Sequence, residues 1–393
     1  MLRGLTLWLG VAFAAGMAPD EPQTYDGKTL KEWVKELKSA DTRAEAISEL
    51  VTLGKDAVPA LITALKSSDA GTRAAAAEAL GQIGPDGKEA IAALTNLLRD
   101  KLPGVRVAAA DALGGMGVEA KGAVATLQQL LRDREEAVRS AAARGLGGIG
   151  AVAKSAVPAL TAMLHDAGDE ARASAARGLG GIGADAKSAV PALVKLLKND
   201  TEEEVRQAAA EGLGNMGPAA KTAIPDLIKA LSDKSDDVRG AAAEALPDVG
   251  AEPAEVVPTL IKFLTAKRDE LRAHAAGGLG KFGAGAKDAV PELAKVLRDR
   301  DVVVRASAAT ALATMGVAAR AAVPDLMRAL SDPEKEVSDI ALEALGEIGP
   351  EAKEAVPLLL TRAKASKDEK EKFEALIAVL KKIDPAAAEK AAK

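Results

Sequence analysis

The sequence contains no cysteine, only two histidines, and an aromatic content of 2%. Without cysteine there is no disulfide, no thiolate metal site, no lipid-modified cysteine anchor and no C-x-x-C-H haem attachment. The histidines, His165 and His274, stand far apart, and no H-E-x-x-H, G-x-S-x-G or adjacent His-Glu pair occurs. Acidic clusters such as Glu202 to Glu204 and Asp236-Asp237 lack calcium-loop spacing. The chain therefore reads as a non-enzyme with no cofactor and no metal. Scarcity of Phe, Tyr and Trp leaves alanine and leucine to fill the core, which favours thin helix-on-helix layers. Charge of one sign is also missing: 52 basic residues face 57 acidic ones, a formal net of -5. Nothing draws the whole chain to phosphate backbones or anionic lipid, so nucleic acid is not an expected partner.

Long apolar runs are confined to the first eighteen residues, MLRGLTLWLGVAFAAGMA. Arg3, the apolar stretch from Leu5 to Ala15 and the small residues after it have the layout of a cleaved export signal, residues 1–18. About eleven apolar residues fall short of the ~20 that span a bilayer, and no second run of spanning length is expected downstream. The mature chain is accordingly expected in the periplasm or outside the cell, with no stable membrane span. A cysteine-free exported chain is compatible with a bacterial envelope protein.

Glycine, by contrast, is abundant. Gly145 to Gly150 reads GLGGIG, a literal match to the dinucleotide fingerprint G-x-G-x-x-G. The same letters return at Gly178 to Gly183, with variants at Gly212 to Gly217 and Gly278 to Gly283. So many copies point to repetition. Aligned on R-x-x-A-x-x-x-L-x-x-[IMVF]-G, the arginines fall at 73, 106, 139, 172, 206, 239, 272 and 305, with Ser338 next and an earlier copy at Arg43. The period is 33, once 34, which marks a solenoid. Val138, Ala142, Leu146 and Ile149 lie on one helical face, the second helix of a unit, and Gly150 is placed to end it in a left-handed conformation. A dinucleotide site needs its glycines after a strand and before a helix; here they close a helix.

The first helix of each unit is expected near A-V-P, as at Ala156 to Pro158, because a first-turn proline forfeits no helical hydrogen bond. Two antiparallel helices of roughly twelve residues are too short to hold alone and must stack on the next pair. The R-x-x-A-A-x-A-L-G-x-I-G run, the A-V-P start and the turn Asp before Arg resemble HEAT repeats of the type named after phycobilisome lyases, over roughly residues 43 to 360. The resemblance implies an all-α superhelix of about ten to eleven helix pairs, with Asp and Arg columns paired as a structural ladder. In such a family the repeat serves bilin attachment, scaffolding and adaptor roles. Residues 19–42 read as a linker and capping helix, with Thr29 to Glu32 as a capping box and Leu30, Trp33, Val34 and Leu37 on one face. Residues 361–393 read as a degenerate capping repeat with a lysine-rich tail.

Four residues stand out as candidate contacts to a partner. Arg144 and Arg177 interrupt a smooth wall of small residues (Gly115, Gly148, Gly181) on the second helices, the inner side by the resemblance, where they would grip an acidic segment or simply be solvated. His274 and Lys281 lie in an irregular unit where Pro247, Ala254 and Ala266 break three columns and Phe263 and Phe282 gather, a bend or a binding spot. The lysine column after each glycine (Lys88, Lys121, Lys154, Lys187, Lys221, Lys287, Arg320, Lys353) suits a helix C-terminus. The reading is a protein-binding scaffold using a concave face. Its rivals are a bilin or small-molecule lyase-like or carrier protein and a structural envelope protein.

Overall fold

The computed structural model describes residues 24–392. The leader-like residues 1–18 lie outside them. A two-residue antiparallel ladder, Thr24–Tyr25 with Lys28–Thr29, opens the described chain. Its turn uses Asp26 and Gly27, both at positive φ (45° and 77°), the dihedral signs that match the twist of a tight hairpin. The helix Leu30–Glu36 follows with the expected capping box: the Thr29 side chain accepts the Glu32 amide, and Glu32 accepts the Thr29 amide at 2.8 Å. Trp33 is buried and its indole donates to the Tyr25 carbonyl at 2.9 Å, so the hairpin and the helix close the first repeat together.

From here to the C-terminus the described chain is helical. Eleven helix pairs stack in one array, from Leu30–Glu36 with Arg43–Leu53 to Val356–Ala365 with Lys370–Ile383, and a final helix Pro385–Ala392 packs on the last pair. The division drawn at residue 360 falls inside Val356–Ala365. Each second helix lies against the second helix of the next unit, and the first helices form a separate outer layer. The leucine column from Leu50 to Leu345 and the alanine four residues before each of those leucines, at Ala142 before Leu146 for example, are sealed from solvent. Invariance at these positions therefore reports packing.

The first halves of the units differ from the expectation of two twelve-residue helices. In the unit that begins after Gly150, a 3-10 segment Gly150–Ala156 precedes a seven-residue α-helix, Val157–Met163. The physical reason is in the spacing A-x-x-A. A 3-10 helix has three residues per turn, so Ala153 and Ala156 eclipse and are buried together against the core. The irregular unit lacks this pattern: Glu252-Pro253 stands where A-x-x-A would continue, and one α-helix, Pro253–Phe263, replaces the two pieces with Pro258 inside it. Phe263 and Phe282 are half-buried there against the core.

The closing glycines also need a correction. Gly150 has φ 79° and ψ -151°, and its counterparts at 54, 84, 183, 316 and 349 are similar. Positive φ with extended ψ is not the left-handed helical cap but a region open essentially to glycine alone. It turns the chain sharply from the second helix into the 3-10 segment.

Two stretches, Glu136–Met163 and Val302–Ala329, have the length and apolar composition to cross a membrane, contrary to the expectation that none follows the leader. Each contains one of these turns, Gly150 or Gly316, and so is an α-helix, a 3-10 segment and a second α-helix that bend within the array.

Candidate functional site

The arginine column is consumed by structure. Arg139 donates through Nη1 to the carbonyl of Asp133 in its own turn at 2.9 Å, and through Nε and Nη2 to both carboxylate oxygens of Asp166 in the next turn at 2.8 and 2.7 Å. Asp166 in turn accepts the Gly168 amide at 2.9 Å. The same link joins Arg73 to Asp100, Arg106 to Asp133, Arg172 to Asp200, Arg206 to Asp233, Arg272 to Asp299 and Arg305 to Asp332. Burial pushes the Asp166 carboxyl up, but bonds from Arg139 and the Gly168 amide outweigh it and hold the group below its ordinary range. Between Arg73 and Arg305 one rung is missing: Ala266 faces Arg239, which turns instead to Asp236 on its own helix, while the earlier Arg43 bonds only the carbonyls of Leu37 and Lys38 before it.

The glycines of GLGGIG have packing duties as well. A Cβ on Gly145 would stand 2.6 Å from the Ala110 carbonyl oxygen, and one on Gly148 2.6 Å from that of Gly114, both on the preceding second helix. Second helices thus approach backbone to backbone. A two-layer array bends toward its more tightly spaced layer, which places the second helices on the concave wall.

On that wall each of the four candidate residues meets an acid from a neighbouring unit. Arg144 reaches back to Asp111 with two bonds of 3.1 Å and forward to Glu170 at 3.3 Å. Arg177 reaches forward to Glu211 at 2.9 Å, with Glu204 at 4.0 Å. Arg144 thus bridges both neighbouring units while Arg177 reaches only the next one, and their charge is met within the wall. His274 is 2.6 Å from Glu244 through Nδ1, and Lys281 bonds Asp248 at 2.6 Å and the Glu244 carbonyl at 3.3 Å. Glu244 thus brings His274 and Lys281 together. Its hydrogen bond raises the His274 pKa against the opposing effect of burial, and Asp237 and Glu211 add to the rise. The lysine column sits on the 3-10 segments instead, exposed along one edge, with no ion pair made by Lys121, Lys154, Lys187 or Lys221.

The charged lattice stops at one helix. Val302–Met315 carries a single charge, the ladder residue Arg305, and among the described residues it is the one second helix of which this is true. A groove of about 460 Å³ opens over it, lined by Gly277, Val302, Val303, Thr310 and Thr314, with Ile340 on the next helix and Lys281 and Glu336 at its rims. Val303 is 59% exposed. The residue alignment already contained this window, because Gly277 and Thr310 occupy the column filled by Arg144, Arg177, Glu211 and Glu244 elsewhere. What drew notice in the sequence was unusual charge, and the signal here is its absence.

Two other depressions exist. One of about 540 Å³ lies between helices Ala70–Ile83 and Pro103–Gly115, beside Glu78 and Asp111. The other, of about 1000 Å³, lies between Lys335–Ile348 and Lys370–Ile383, where Ser338 ends the arginine column. Its rim charges are largely met by one another, as in Lys382 with Glu347 at 2.7 Å and Lys372 with Glu369 at 3.4 Å. Among the described residues no group of three His, Cys, Asp or Glu side chains is arranged to hold a metal ion.

Among solved structures the chain is similar to Kap95p bound to RanGDP (13% identical, TM-score 0.52) and to Kap95 in complex with Nup1 (14%, 0.54), covering 92% of this chain in both cases. It spans 58% of each Kap95 chain, a little over half. At that identity the likeness shows the fold alone. An engineered protein is 27% identical over 81% of this chain and 98% of its own, with a TM-score of 0.42. No curated protein matches the sequence. A family model described as HEAT repeats matches residues 28–114, 91–180, 157–247, 224–313 and 290–381 in overlapping blocks, so nearly the whole described chain is accounted for by one repeat. The stacked helix pairs, the Arg-Asp rungs between them and these matches give one answer: the chain belongs to the HEAT repeats.

Proposed function

We propose that the chain is a non-enzymatic scaffold that holds a protein segment along its concave face. One observation carries the reading: the wall is fixed in place by bonds between successive units, yet leaves an uncharged groove over Val302–Met315. A wall braced by Arg-Asp rungs loses little conformational freedom on binding, so many modest contacts add up to useful affinity. The same architecture holds protein in the structures of Kap95 with RanGDP and Nup1. The leader-like opening of the sequence supports a place outside the cytoplasm, and the A-V-P and R-x-x-A signatures support kinship with the phycobilisome-lyase type of HEAT repeat.

The reading is tested by expressing the full chain with a C-terminal tag in its own cell, recovering it from the envelope fraction and identifying what stays bound through moderate salt. A stoichiometric protein that is lost on charge substitution along the concave wall supports the scaffold. A bound small molecule with no protein partner overturns it in favour of a carrier.

A further inference from the structure

We infer that the groove over Val302–Met315 is the docking site for a partner segment with a defined chemistry: an aliphatic or aromatic side chain seated on Val303 and Ile340, next to a lysine or arginine facing Glu336. This rests on the scaffold reading and names the part of the wall and the kind of segment it takes.

The first turn of a helix favours acidic residues, because its unpaired amides carry partial positive charge. Most other second helices obey this rule, with Glu45, Glu136, Asp169 and Glu170, Glu203 and Glu204, Asp236 and Asp237, Asp269 and Glu270, Glu336 and Glu371; Ala70–Ile83 and Pro103–Gly115 do not. The helix Val302–Met315 instead begins with three valines. Val304 is buried, so packing explains it, but Val302 and Val303 are 36% and 59% exposed. Asp301 already caps this helix, accepting the Val303 and Val304 amides at 2.9 and 3.1 Å, so the branched apolar side chains of Val302 and Val303 held in water add nothing to the fold. A local rule broken without a packing gain marks a surface kept for something else.

Space and charge narrow the occupant. Gly277 has no side chain to send across from the preceding helix, and a Cβ there would find only Glu244 Oε1, at 3.6 Å. The cation at that rim, Lys281, is already held by Asp248 at 2.6 Å. On the opposite rim Glu336 is exposed and makes no ion pair among the described residues. The free charge beside the apolar floor is therefore negative. A segment with an apolar anchor and a neighbouring cation satisfies both features; an acidic segment meets only the apolar one and is repelled at the rim.

The experiment pans a random-peptide library displayed on phage against the full chain and three variants: Val303→Asp, Thr310→Arg and Glu336→Lys. Val303→Asp suits the first turn of the helix, so its melting temperature stays at or above wild type and loss of binding cannot be ascribed to unfolding. The expected result is enrichment of peptides pairing an apolar anchor with Lys or Arg, binding about tenfold or more weaker to Val303→Asp, since burying a valine is worth that much. The charge-inverted variant should select peptides bearing Asp or Glu. Peptides that bind Val303→Asp and Thr310→Arg as well as wild type overturn the groove while leaving the scaffold reading standing. Enriched peptides with no basic preference overturn the charge assignment. A wild-type chain that enriches nothing overturns the site, and the scaffold reading then stands or falls on the envelope recovery.

Discussion

Gly148 lies so close to Gly114 of the preceding unit that a Cβ on Gly148 would stand 2.6 Å from the Gly114 carbonyl oxygen and 2.9 Å from its carbon. The glycines that imitate a nucleotide fingerprint are the points where successive helices touch backbone to backbone. Two substitutions separate this from helix propensity. Gly148→Ala should destabilise the array by about 1–3 kcal/mol, because overpacking outweighs the gain of ~1 kcal/mol in propensity. Gly104→Ala, in a helix with nothing within 4 Å of the added methyl, should be neutral or stabilising by up to about 1 kcal/mol. Denaturant unfolding of the pair decides; equal effects from both would remove the packing argument.

The missing rung is repairable. Ala266 occupies the place of the turn aspartate, and Arg239 has no partner in the next unit. Ala266→Asp should let Arg239 bridge the units, and the new carboxylate should accept the Arg268 amide as Asp166 accepts that of Gly168. The expected gain is about 0.5–1.5 kcal/mol. Conversely, Arg139→Met should cost about 1–3 kcal/mol by leaving Asp166 half-buried without its cation. If Ala266→Asp leaves the melting temperature unchanged, the rungs contribute less than their geometry implies.

Stability should fall in acid through the rungs. Asp100, Asp133, Asp166, Asp200, Asp233, Asp299 and Asp332 are all held below their ordinary 3.8, despite burial that pushes each one up. Groups with depressed values in the folded state stabilise above the unfolded pKa, and that stabilisation is lost as pH drops through the folded one. Melting temperature should therefore decline steeply below about pH 4, and the decline should be shallower in a chain carrying Asp166→Asn.

His274 has the opposite sign. Its hydrogen bond with Glu244 raises its pKa above 6.5, so its contribution is fully present below that value and lost as pH rises through the raised one. The difference in melting temperature between wild type and His274→Ala should be largest near pH 6 and fade in alkaline solution. A difference independent of pH would show that the ring acts by packing over Gly240, where a Cβ would lie 2.6 Å from it.

Removing residues 139 to 171 joins Val138 to Arg172, which then takes the place of Arg139 above Asp133 and keeps its own bond to Asp200. Because each unit touches only its neighbours, the shortened chain should fold with unchanged helical content per residue and a modestly lower melting temperature by circular dichroism. Collapse of the whole array would contradict nearest-neighbour stability.

The repeat, its register and its core were legible in the sequence, because burial at Leu146 and Ala142 and the turn at Gly150 tolerate one residue type each, and ten aligned copies expose that restriction. The Arg-Asp ladder came with the family resemblance. The shape of the first helices was not legible: A-V-P marks a helix start equally well whether the preceding turn is 3-10 or α, and only the packing of Ala153 with Ala156 selects the former. Nor was the fate of the charged candidates. Arg144 and Arg177 look alike in the repeat, yet their partners, Asp111 and Glu211, lie 33 residues back and 34 residues on. Sequence by itself determined the fold, since each column obeys a local rule of period and size. Tertiary structure alone decided which charges are free, because a cation on a solenoid wall is neutralised by a residue one unit away, and the stacking of the helices sets which acid that is.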